Sequence, residues 1–132
     1  MGREAQEVGI MMLLDSDIWI DFLRGSKDAE GFIISNMDTI SFSAISEAEL
    51  LSGRSCSDPK NAERIMHLLA QFEKIPVDNP MVQLAGMIRR AHDIALPDAM
   101  IAASAISTDA TLVTRNIKDY RSIEGLELKK PY

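Results

Sequence analysis

Apolar residues in this chain fall into short dense runs separated by stretches with helical spacing. In "MMLLDSDIWIDFLRG", Met11 to Leu14 read as an interior strand, and Ile18, Trp19, Phe22 and Leu23 then recur at the spacing of an amphipathic helix. "GSKDAEGFIISNM" predicts a second short helix, and Thr39, Ile40, Ser41 and Phe42 predict a strand. In "SAISEAELLSG", Ser43 is placed to cap a helix with Ser46 and Glu47 in its first turn. Ile45, Ala48 and Leu51 would form its apolar face, and Gly53 would end it.

The second half repeats the alternation. "DPKNAERIMHLLAQFEKI" carries Pro59 near a helix start and apolar positions at Ile65, Leu68, Leu69 and Phe72. "IPV" reads as a brief strand, and "NPMVQLAGMIRRAHDI" as a helix with Val82, Ala85 and Ile88 inward. In "LPDAMIAASAISTDATLVTRN", Pro97 suits the first helical position and Asp98 follows it. Met100 to Ile106 are apolar apart from Ser104, so this helix belongs in a core. "ATLVT" is the next strand, "RNIKDY" a polar turn at its carboxyl end, and "GLELKKPY" supplies a last short strand. Strands alternating with helices predict a three-layer α/β domain with a mostly parallel central sheet. Residues 11–132 are expected to form one domain, preceded by a mobile extension over 1–10.

Composition narrows the class. At 132 residues and 46% hydrophobic content the chain buries a core without staples. Its single Cys56 has no internal disulfide partner and no Cys/His ligand spacing exists, which argues against zinc and for a reduced, cytoplasmic setting. No run approaches the roughly 18 apolar residues of a membrane span, and "MGREAQEVGI" lacks the apolar middle of a signal peptide. The net charge of −6, from 14 basic and 20 acidic residues, opposes broad charge-driven binding to nucleic acid. It leaves room for a local basic rim, and it suits a partner that brings positive charge.

The candidate chemistry is acidic. Asp15 follows a wholly apolar run at the carboxyl end of a predicted strand, where open α/β sheets bind their ligands. Ser16 or Asp17 suffices to cap the helix, whereas a partly desolvated Asp15 needs a partner, a metal or a proton. Glu49, Asp98 and the pair Asn116 and Asp119 fall on helices or strand ends that could face it. Singly, each has a structural explanation: a solvated helix residue, a helix-dipole acid, a turn residue. Gathered together they repel, and an all-oxygen set without Cys or His selects a hard cation, Mg²⁺ or Mn²⁺. Such an ion serves phosphodiester hydrolysis. His67, between apolar neighbours, and His92, at a helix end, read as structural.

Four segments, "MLLDSDIWIDFLRG", "ISEAELLSG", "LPDAMIAASAI" and "LVTRNIKDY", resemble in order and spacing the PIN-domain proteins, specifically the VapC-type toxins of toxin–antitoxin pairs. The resemblance runs from Met11 to Pro131. It implies a metal-dependent endoribonuclease of compact α/β/α fold, commonly a homodimer, inhibited by a cognate VapB-type antitoxin. By that resemblance Asp15, Glu49 and Asp98 are the catalytic metal ligands, and Ser16 and Thr114 support them. The fourth position departs: Asn116 stands where many PIN domains carry Asp, and Asp119 follows three residues later; Asn116, closer to the strand end, is expected near the metal and Asp119 as an outer member. Arg115, Lys118, Arg24 and Arg54 lie beside the motif segments and are the candidate contacts to an RNA substrate.

Three other classes use similar residues. "DSD" after an apolar strand resembles the haloacid-dehalogenase phosphatases, with Lys118 as the needed cation, but no late acidic pair follows "ATLVT". A receiver-type signalling domain also sets an Asp and Mg²⁺ at a strand end, yet gives Glu49 and the "PDAMIAA" helix no role. A catalytically silent binding module on the same scaffold is the third.

Overall fold

The computed structural model describes residues 11–132; the expected extension over 1–10 lies outside the described residues. Five short strands carry the fold: β1 (Met12–Leu14), β2 (Ile40–Ser43), β3 (Glu73–Ile75), β4 (Thr111–Val113) and β5 (Leu128–Lys129). They form one sheet in the order β3-β2-β1-β4-β5, every neighbouring pair parallel. Among the described residues, seven α-helices connect them. These are α1 (Ser16–Leu23), α2 (Lys27–Ser35), α3 (Ala44–Leu51), α4 (Pro59–Leu69), α5 (Asn79–His92), α6 (Leu96–Ser107) and α7 (Ile117–Tyr120).

Both sheet faces are buried, as parallel strands require. Successive side chains point to opposite faces, so Leu13 and Leu112 pack with Ala85, Ile88 and Ile101 on one side. Met12, Leu14 and Val113 pack with Trp19, Ile65 and Leu69 on the other. Two apolar faces demand two helical layers, which yields the expected α/β/α sandwich. Trp19 anchors the second core, edge-on to Phe42 at 6.1 Å between ring centroids and tilted against Phe72 at 5.1 Å.

The strand order positions the site. From β1 the chain builds outward through β2 and β3, then returns to the opposite side of β1 for β4. Between β1 and β4 the connections diverge, and their carboxyl ends open a crevice at this topological switch point. The two residues that follow these strands are Asp15 and Thr114.

Several expectations need correction. The strand expected over "IPV" lies earlier, at Glu73–Ile75, and stops at Pro76, which has no N–H to continue the ladder. On α3, Ile45 and Leu51 pack against the cores as expected, but Ala48 is exposed and the buried residues are Ser46 and Leu50, because a buried hydroxyl with a partner substitutes for an apolar residue. Val82 is exposed on α5 and Met81 takes its place. His67 is exposed rather than packed. The polar turn "RNIKDY" contains α7, whose last residue, Tyr120, is fully buried.

Candidate active site

Asp15 sits at the mouth of the crevice. Its backbone N–H donates to the Val113 carbonyl at 2.9 Å, extending the β1–β4 pairing one residue past the strand end. It is also the N-cap of α1, so the cap is Asp15 and not Ser16 or Asp17: its Oδ1 accepts from the Ser16 N–H at 2.8 Å. Oδ2 accepts from Thr114 Oγ1 at 2.9 Å and from the Tyr120 hydroxyl at 3.2 Å. The residue is only 7% exposed. Burial pushes its pKa up to about 6, and the negative charges of Asp17 and then Asp98 add to the rise, against the hydrogen bonds from Thr114 and Ser16.

Capping by Asp15 releases Ser16 for a different task. Its buried hydroxyl donates to Glu49 Oε1 at 2.6 Å and lies 2.9 Å from Ser46 Oγ. Residues 46 and 49 are three apart on α3, hence on one helix face, and that face meets the start of α1. Glu49 also borders two surface grooves. One, of about 340 Å³, runs between α1, α3 and α4 and is lined by Leu23, Arg24, Asn61 and Arg64. The other, of about 380 Å³ and largely apolar, lies between α3 and the start of α6, with Ile45, Leu96 and Met100.

Asp98 occupies the first turn of α6, whose N-cap Ala95 offers no side-chain oxygen. The carboxylate is thus near free amide groups and the positive end of the helix dipole. Partial burial nevertheless raises its pKa, opposed by a hydrogen bond from Tyr120 and reinforced by Asp119. Tyr120 donates to Asp15, and burial together with the charges of Asp15 and Asp98 drives its own pKa far upward, so that it remains a donor.

The loop after β4 is tied down from α1. Asp17 Oδ2 accepts from the Arg115 N–H at 3.1 Å and from Thr114 Oγ1 at 3.4 Å. Its Oδ1 is buried without a partner among the described residues, and burial raises its pKa. Asn116 is exposed; its N–H donates to Thr114 Oγ1 at 2.9 Å and its Nδ2 to Asp119 Oδ2 at 2.7 Å. Of this pair it is Asp119 whose charge is felt at Asp98.

Arg115 forms a two-pronged ion pair with Asp21, Nε to Oδ2 at 2.6 Å and Nη2 to Oδ1 at 3.2 Å. Tyr132 donates to the same Oδ2 at 2.7 Å. Arg24, Arg54 and Lys118 are exposed, Arg24 along the first groove. Asp17, Asp21 and Tyr120 are the participants that sequence reasoning missed. The i, i+4 spacing of Asp17 and Asp21 on one face of α1 and the i, i+3 spacing of Ile117 and Tyr120 were the available signals.

The donors suit a hard divalent cation in kind, being carboxylate oxygens around a buried excess of negative charge. Among the described residues, no three His, Cys, Asp or Glu side chains stand close enough to enclose an ion as arranged. Their oxygens face hydroxyls instead, Glu49 toward Ser16 and Asp15 toward Thr114 and Tyr120.

This arrangement has known relatives. The PIN domain family profile matches residues 12–125. Ribonuclease VapC10 of Mycobacterium tuberculosis is 34% identical over 131 aligned positions, covering 92% of this chain and 93% of that protein. A toxin–antitoxin complex from Klebsiella pneumoniae contains a chain 26% identical with a TM-score of 0.77, covering 92% of this chain and 98% of its own. The structure of VapBC2 from Rickettsia felis, bound to a DNA fragment from its promoter, contains one 26% identical with a TM-score of 0.80, covering 91% and 98%. The chain belongs to the PIN-domain family, and within it to the VapC-type toxins. The phosphatase and receiver readings give way accordingly. Lys118, the cation invoked for the phosphatase, is exposed on α7.

Proposed function

We propose that this chain is a Mg²⁺- or Mn²⁺-dependent endoribonuclease, the toxin of a VapBC-type pair, with Asp15, Glu49 and Asp98 as its catalytic metal ligands. The observation that carries the reading is a carboxylate, Asp15, buried at the switch point with the charges of Asp17 and Asp98 near it; burial first and those charges second push its pKa up to about 6. A bound divalent ion supplies a more acidic water and stabilises charge on the phosphoryl oxygens.

The chain's own residues do the rest. Thr114, Tyr120 and the Ser16 N–H fix the Asp15 carboxylate, and the Ser16 hydroxyl fixes Glu49. Asn116 and Asp119 are outer members of the set, Asp119 nearer in effect because of its charge on Asp98. RNA is held at the rim by Arg115, Lys118, Arg24 and Arg54, since an acidic centre cannot itself attract phosphate. Residues 11–132 form one domain acting in the cytoplasm as a homodimer. The antitoxin covers the acid cleft, and a cationic side chain on it suits the same cluster.

Cleavage of RNA in Mg²⁺ with and without EDTA tests the reading. Abolition by EDTA and products with 5′-phosphate and 3′-hydroxyl ends are expected, because water and not the 2′-hydroxyl is the nucleophile. Cyclic phosphate products, or full activity in chelated protein, overturn it. A catalytically silent module would bind without cutting.

A further inference from the structure

We propose that Tyr120 is a positioning residue of the acid site: its buried hydroxyl, donating to Asp15 Oδ2, fixes that carboxylate in the orientation in which it would share one cation with Asp98. The inference rests on the metal-dependent reading above and assigns a role within it to a residue outside the acid set. The ring is fully buried in the core with Leu13, Ile101 and Ala102. A phenylalanine would fill the same apolar space, so packing does not account for the oxygen. A buried hydroxyl needs a partner, and the partner of this one is Asp15.

The bond counts on Asp15 give the hydroxyl its function. A carboxylate offers about four acceptor positions. On Asp15 the Ser16 N–H, Thr114 and Tyr120 occupy three of them. The side chain is thereby fixed in rotation with one position left for an ion. A phenol carries one proton, and it is directed to Asp15 at 3.2 Å. The bond thus fixes a carboxylate at the end of β1 against the charge of Asp98, which comes from a different element, α6. Outer donors of this kind orient ligand carboxylates. Tyr120 reaches the site because α7, only four residues long, turns it inward from the loop after β4.

The test is Mn²⁺ binding by calorimetry to RNA-free wild-type protein and to Tyr120→Phe. Removal of the hydroxyl is expected to raise the Mn²⁺ dissociation constant by about tenfold, with the melting temperature in EDTA nearly unchanged and cleavage recovering at saturating Mn²⁺. Equal affinities in the two proteins overturn the role of Tyr120 and leave the metal-dependent reading intact. Absence of Mn²⁺ binding by the wild type overturns that reading, and the inference with it. A second measurement avoids substitution at the site. In protein labelled with ¹³Cζ tyrosine, Mg²⁺ should shift the Tyr120 signal, assigned by loss of the Tyr132 signal in Tyr132→Phe. A Tyr120 signal that stays fixed while Mg²⁺ binds overturns the proposal.

Discussion

The Ser16 hydroxyl donates to Glu49 Oε1 at 2.6 Å across 33 positions of chain, joining the start of α1 to α3. Without this bond Glu49 would swing over the grooves on either side of it. Ser16→Ala is therefore expected to cost about 1 kcal/mol in stability and to reduce cleavage by about tenfold. Urea denaturation and initial rates measure the two effects, and undiminished cleavage would detach Glu49 from the site.

The acid pair at the crevice predicts a pH profile. In EDTA the folded protein releases the Asp15 proton at about pH 6, and the unfolded chain near the ordinary 3.8. The folded state binds more protons in that window, so stability is present at the acidic end and is lost as pH rises, by roughly 3 kcal/mol at most. Asp17 and Asp98, also raised, act in the same sense. Asp15→Asn should flatten the profile between pH 4 and about 6. Urea midpoints across that range decide; parallel profiles for both proteins would remove Asp15 as the source.

Arg115 is held on Asp21 with its side chain 47% exposed, so its remaining face is available to phosphate. Arg115→Ala should weaken single-stranded RNA binding and lower the salt slope, d log K against d log salt, by about 0.7. An unchanged slope removes Arg115 from the RNA surface and leaves it a tie between the loop after β4 and α1.

The Asn116–Asp119 contact of 2.7 Å makes a charge prediction. Asn116→Asp replaces the donor with a second carboxylate, so the variant should melt lower than wild type in EDTA and gain more from Mn²⁺. Asp119→Asn should weaken Mn²⁺ binding, since hard cations prefer anionic oxygen. Thermal melts with and without Mn²⁺ report both. No change in either variant would confine the site to Asp15, Glu49 and Asp98.

Legibility in the sequence follows the kind of force involved. The strand, turn and helix around Asp15 are readable because an unbroken apolar run gives way to helical periodicity at one acid. The parallel sheet follows from repeated alternation. The inward face of α3 is only partly readable: Ile45 and Leu51 follow apolar spacing, whereas Ser46 is buried through a hydroxyl contact made 30 positions away, which that spacing does not register. The burial of Tyr120 is hidden similarly: "RNIKDY" is polar on average, and only the docking of α7 turns its last residue toward Asp15. Among the acids, the positions of Asp15 and Asp98 could be inferred from the chain, whereas the role of Asp17 as anchor for the Arg115 N–H required the fold.

The central place of β1 carries a consequence for how the molecule comes into being. Its first strand is flanked by β2 and by β4, and Asp15 receives its bond from Thr114 across 99 positions. On a ribosome the N-terminal part emerges first, and that part contains Asp15 and Glu49 with neither Thr114 nor Tyr120 to fix them. A polypeptide interrupted before β4 lacks one wall of the crevice and carries an incomplete centre. The complete centre therefore exists only once β4 and α7 have docked against β1, however early its first acids are made.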